Sequence, residues 1–224
     1  MYLKTDHHEF FVKHERFDDV HYYSIGNNNL RPRACVVISV MNANGKCIMA
    51  IQDLEYYSTC SSRTLERKTG TVEMLQGSIK AILKRHPKVS IIELNDKSFF
   101  TLKNGDHIPL PEYRLLVKGK TWYEEYFGAL PAYEGLERIV HAYKEVEVSI
   151  EPSELTRKKF KNLLKSLHLR DVSGNGWIIP ITSIRNYKTK GVFKEGNIMS
   201  GGGDGWIFEN MTPIDHTFRI YAKN

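Results

Sequence analysis

Hydrophobic and polar positions alternate through most of the first 60 residues. In "HEFFVKHERF" and "DVHYYSIG" the alternation suits two half-buried strands, ended by the loop "GNNNLRPR". "ACVVISV" and "KCIMAIQDL" flank "MNANGK", whose Asn44-Gly45 supplies the positive-φ turn of a hairpin. The polar and basic "YYSTCSSRTLERKTG" reads as a long loop. From Gly70 the period becomes helical: Val72, Leu75, Ile79, Ile82 and Leu83 share a face, and His86-Pro87 ends the helix. "KVSIIEL", Lys88 to Leu94, predicts a buried strand, and "NDKSFFTLKNGDHIPL" a further hairpin around Asn104-Gly105.

Pro111 opens the next helix, with Tyr113, Leu116, Val117, Trp122, Tyr123 and Phe127 apolar or aromatic and Gly119 as an interruption. Gly128 or Ala129-Leu130-Pro131 stops it. "GLERIVHAY" reads as a short helix and "EVEVSI" as a strand. Ser153 is placed to cap "ELTRKKFKNLLKSLHLR". There Leu155, Leu163, Leu164 and Leu167 share one face, while Arg157, Lys158, Lys159, Lys161 and Lys165 crowd elsewhere. "GNGWII" and "GDGWIF" each read as a hairpin turn entering paired strands. The fold class is therefore α+β, a mixed sheet flanked by helices. Residues 1–133 form an α+β domain and residues 134–224 an extension of helix and hairpins.

At 224 residues the chain can bury a sizeable core, and 41% hydrophobic with 26% charged residues is an ordinary globular balance. The longest apolar run, Ala34 to Met41, falls far short of a membrane span. "MYLKTDHHEFF" lacks the basic and apolar sections of a secretory signal. Cys35, Cys47 and Cys60 are odd in number and have no close pair, so no disulfide framework and an intracellular, cytoplasmic setting are expected. The net charge of +6 suits an anionic partner.

Several chemistries are excluded by spacing. "VKGKTWYEEYFG" contains a GKT, but Arg114 stands where a nucleotide-binding P-loop needs its first glycine. His7, His8 and His14 match no metal-ligand set, and no C-x-x-C occurs. No nucleophile elbow is present.

The succession of hairpin, basic loop, helix starting near a glycine, buried strand and aromatic-ended helix resembles the core of the GCN5-related N-acetyltransferases, the GNAT family. "RKTGTV" carries the likeness through Arg67 and Gly70, with Val72 where the family has Gly or Ala. "WYEEYFGA" carries it through Tyr123. The likeness covers residues 34 to 131, with an added hairpin at 97 to 110 and no early helix pair for the acceptor site. It implies transfer of an acyl group from acetyl-coenzyme A to an amine. Arg67, Lys68, Thr69, Gly70, Thr71 and Val72 would hold the pyrophosphate, with Arg63 adding charge. Tyr123 would protonate the departing thiolate, and Glu55, or Asp53, would act as base through a water.

Each of these positions also has a structural reading. Thr69 can simply cap a helix after a solvated loop, Tyr123 can pack beside Trp122, Tyr126 and Phe127, and the carboxylates can be surface groups. "RKTGT", "ELNDKS" and "GKTWYEEYFGA" are also similar to uncharacterised proteins of large DNA viruses of protists and algae. That likeness implies a virion or host-interaction role, with or without catalysis. The basic helix at 153–170 offers a third reading, nucleic-acid binding, with Trp177 and Trp206 able to stack bases or to fill a core.

Overall fold

A computed structural model describes residues 1–27, 34–56, 58–61, 65–66, 69–150 and 155–195, and the backbone of 221–222. The alternating N-terminal segments form an antiparallel meander. Its strands are β1 (Tyr2–Lys4), β2 (Glu9–Phe17), β3 (Val20–Gly26), β4 (Val36–Ala43) and β5 (Lys46–Leu54), each hydrogen-bonded to the next. Asn44 and Gly45 turn β4 into β5 with φ of 51° and 74°, as two central residues of a tight hairpin require. Helix α1 (Thr69–Arg85) then crosses back, so that β6 (Val89–Asn95) lies parallel to β5.

A small antiparallel pair follows, β7 (Phe99–Thr101) and β8 (His107–Pro109), turning through Gly105. Helix α2 (Leu110–Lys118) stops at Gly119, which has φ of 66°. Helix α3 (Trp122–Phe127) restarts through a capping box: Glu124 N–H donates to Thr121 Oγ1, and Thr121 N–H to the Glu124 carboxylate. The remaining elements are β9 (Leu130–Pro131), α4 (Glu134–Lys144), α5 (Arg157–Ser166), β10 (Gly176–Ile179), α6 (Ile181–Arg185), β11 (Val192–Lys194) and β12 (Tyr221–Ala222).

The fold is mixed α+β, with a nine-stranded sheet in the order β11-β1-β2-β3-β4-β5-β6-β10-β9. Its pairings are antiparallel except β5 with β6. Register aligns Tyr23 with Ile38, Ile38 with Ile51, Ile51 with Leu94 and Leu94 with Trp177, all buried. This row packs in one core with Met74, Leu75, Ile79 and Ile82 of α1, each side chain contributing roughly 1.5–3 kcal/mol on burial. The strand–helix–strand–helix succession expected across residues 49 to 128 is present as β5, α1, β6 and α2–α3.

Four expectations are corrected. Cys35 and Cys60 form a disulfide, Cα to Cα 5.9 Å, because Cys35 enters β4 and Cys60 follows its hairpin partner β5. The inference of a reducing compartment thereby loses its basis, while Cys47 stays free. Trp177 begins no local hairpin: β10 inserts between β6 and β9. "EVEVSI" alternates, yet residues 146–150 join no strand. The cap of α5 is Thr156, whose side chain accepts from Lys159 N–H at 3.1 Å. Ser153 and the "GDGWIF" turn with Trp206 lie outside the described residues.

Candidate functional site at the carboxyl end of the parallel pair

The pairing of β5 with β6 ends at Ile51 and Leu94. Beyond that point β5 continues to Leu54 on β4 alone, and Asn95 of β6 turns to Gly176 of β10. A register shift between β4 and β5 falls at the same level. Val37 opposes Asp53 while Ile38 opposes Ile51, so Gln52 is an extra residue, a β-bulge. The opening lies at the carboxyl ends of parallel strands, where α/β sheets take their ligands.

Asp53 and Asp96 flank this opening, and α3 carries Tyr123 to the same place. Tyr123 is 2% exposed, and its phenol is held well above its ordinary pKa by burial, then by the charges of Asp96 and Asp53. Asp96, 1% exposed, accepts from Ser98 N–H at 3.0 Å and Ser98 Oγ at 2.5 Å. Burial pushes it up to about 6, against the pull of the Ser98 hydrogen bonds and the Arg114 charge. Arg114 in turn pairs with Glu125. Nothing in "ELNDKS" marks Asp96 as unusual, because its shift comes from burial by residues distant in sequence.

Glu55 is not at a solvent surface. It is 1% exposed, its N–H donates to Cys35 O at 2.7 Å, and its carbonyl lies 3.8 Å from Cys60 Sγ. Arg63, Arg67 and Lys68 lie outside the described residues. Gly70 is buried, and its N–H donates to Glu66 O at 3.0 Å. A Cβ at Gly70 would fall 2.6 Å from Leu65 Cδ1, so the glycine admits Leu65 beneath the helix start. Thr69 is exposed, and its hydroxyl donates to Glu66 Oε2 at 2.7 Å. Thr71 is buried.

Thr69 and Val72 do meet open space. They line a cleft of ≈ 340 Å³ with Asp6, His7, Glu73, Tyr126, Lys188 and Thr189. Its carboxylates are already engaged: Glu73 Oε1 accepts from His7 N–H at 2.9 Å, and Asp6 Oδ2 from Lys190 N–H at 3.1 Å. Tyr126 is the member of "WYEEYFG" that reaches this space, while Tyr123 packs inward against Trp122 and Phe127. Position on a helical face separates the two, and the aromatic density of the stretch concealed it. Thr69 at the start of α1, Tyr126, His7 and Lys188 thus border a common volume.

No group of His, Cys, Asp and Glu among the described residues is arranged to hold a metal ion. None of the described helices is long and apolar enough to cross a membrane. Comparison with family models, with curated proteins and with solved structures gives no match.

Proposed function

We propose that the cleft at the start of α1 binds acetyl-coenzyme A and that the protein transfers its acyl group to an amine, in the manner of the GNAT family it resembles. The observation that carries this reading is a cleft that Thr69 and Val72, at the start of α1, line together with Tyr126, in a fold whose parallel strands β5 and β6 part at their carboxyl ends. In the reaction the amine nitrogen attacks the thioester carbonyl, the C–N bond forms and the C–S bond breaks. The amine proton passes to a base in the cleft, where His7 is the side chain not already engaged. The thiolate takes a proton from Tyr126, the phenol in the cleft. Buried Tyr123, with its raised pKa, is a poor donor to a thiolate, and its part is packing.

The pyrophosphate would sit near Thr69, on the positive end of α1. Gly70→Asp is an unsuitable probe because its side chain would meet Leu65. Thr69→Glu is suitable, because Thr69 is exposed and the gain from an acidic residue in the first turn offsets the lost hydroxyl bond to Glu66 and the added carboxylate beside it. Acetyl-coenzyme A at about 100 times its dissociation constant should add roughly 2.7 kcal/mol to the folded state, and Thr69→Glu should remove that gain without lowering the ligand-free melting temperature. A shift that survives Thr69→Glu removes this helix start from the reading.

The bonded Gly70 N–H and the buried Tyr123 favour a second reading, a silent member of the same fold acting as a virion or host-interaction protein. Absence of any thermal shift at millimolar ligand selects it.

A further inference from the structure

A second cleft, ≈ 510 Å³, lies between α5 and the β7–β8 pair. Arg157, Lys161 and Lys165 enter it from α5, and Lys97 and His107 from the other side. All three α5 cations are exposed, and none of the ion pairs among the described residues involves them or Lys97. Asp171 is the carboxylate in the lining, and Asp106 is occupied in accepting the Arg157 N–H at 2.9 Å. Phe160 is buried beneath the cations and fixes the helix in place.

The spacing of the cations distinguishes a polymer from a point anion. Residues 157, 161 and 165 recur every four positions, so they stand about 6 Å apart along the helix axis in one row about 12 Å long. Across from that row, the Phe99 and His107 rings lie 4.5 Å apart between centroids and are tilted 59° to each other, so one of them at a time can face a base, and both residues line the cleft. A cation track facing an aromatic platform is the arrangement that holds a single strand, with phosphates on one wall and a base on the other. An acidic peptide would use the cations and leave the rings without a role.

We propose that the groove between α5 and the β7–β8 pair binds single-stranded nucleic acid without sequence preference. Phosphates lie along Arg157, Lys161 and Lys165, with Lys97 opposite, and a base stacks on Phe99 with the tilted His107 ring at its edge. This site stands apart from the acyl-transfer cleft, and its fate does not depend on that reading.

The test is fluorescence anisotropy of the full chain with a labelled oligothymidylate of about 12 nucleotides, long enough for one binding site. Between about 50 and 200 mM salt, four phosphate contacts give a slope of about −3 in log affinity against log salt. Lys161→Glu should weaken binding about tenfold and reduce that slope by about one unit. Lys46→Glu makes the same charge change at the start of β5 and should leave affinity within about twofold. Phe99→Leu keeps an apolar side chain but no ring, and should weaken oligothymidylate by about fivefold or more while leaving inorganic polyphosphate binding unchanged. The proposal is overturned if the two lysine variants lose affinity equally, since the attraction is then diffuse. It is also overturned if polyglutamate of equal charge competes as well as the oligonucleotide, or if nothing binds at about 50 mM salt.

Discussion

Tyr123 and Tyr126 lie three residues apart on α3, and their surroundings assign them different work. Tyr123→Phe keeps the ring in its pocket and should leave both the melting temperature and turnover nearly unchanged, whereas Tyr123→Ala opens a cavity costing about 3–5 kcal/mol. If the cleft carries out the proposed acyl transfer, Tyr126→Phe should leave stability intact and lower turnover by roughly 10²- to 10⁴-fold, the usual worth of a general acid. A loss of turnover in the Tyr123 variant alone, at constant melting temperature, reverses the assignment. His86 allows a test by pH. Its Nε2 lies 2.6 Å from Tyr23 Oη, and burial, with His21, His14 and Arg85 adding to it, brings its pKa down to about 4. The unfolded chain takes up the proton near the usual histidine value while the folded chain refuses it. The contribution of His86 to stability is therefore complete above about pH 6.5 and is lost as the pH falls toward 4. After discounting for solvent at this half-buried ring, the decline is about 1–2 kcal/mol. Denaturant titrations of the wild type and His86→Phe should diverge in slope across that window; parallel profiles count against the buried neutral imidazole.

Elements whose determinants are local were legible from the chain, and those set by distant partners were not. Asn44-Gly45 dictates its own turn, the period from Val72 to Leu83 lays out α1, and Gly119 divides α2 from α3. Removing the cap that restarts α3, by Thr121→Ala, should cost about 1 kcal/mol in thermal unfolding. The alternation in "EVEVSI" had no such authority, because a strand exists only where a neighbour receives it. β10 shows the converse: four residues read as a hairpin arm instead fill a place between two strands from elsewhere in the chain. The candidate site was legible to a similar degree. The helix start at Thr69 and Val72 was visible as a change of period, while Tyr126, Asp96 and the burial of Glu55 depend on which faces meet. One contact between elements is unusually intolerant. A Cβ on Gly191 would fall 2.0 Å from Gly77 O, backbone against backbone. Gly191→Ala should displace the segment that leads into β11, seen as faster amide exchange in β1, its partner.

For the molecule as a whole, the Cys35–Cys60 bond ties the entry of β4 to the loop beyond β5, closing 25 residues. By loop-closure entropy it contributes about 3.5 kcal/mol, and the Cys35→Ala/Cys60→Ala variant should lose about that much in denaturant unfolding. An unchanged midpoint in both oxidised and reduced buffer shows the bond to be dispensable.

The two ends of the large sheet carry a consequence for the protein at high concentration. An open sheet offers an unpaired backbone ladder at each border, a template on which other copies can polymerise. Among the described residues the borders are β11, three residues long and ending in Lys194, and β9, two residues that include Pro131. Brevity limits how many hydrogen bonds a docking strand can gain, proline removes a donor, and lysine brings charge that a second copy would have to bury. Both borders are thus poor templates for a second copy, and the residues that make them so line neither cleft.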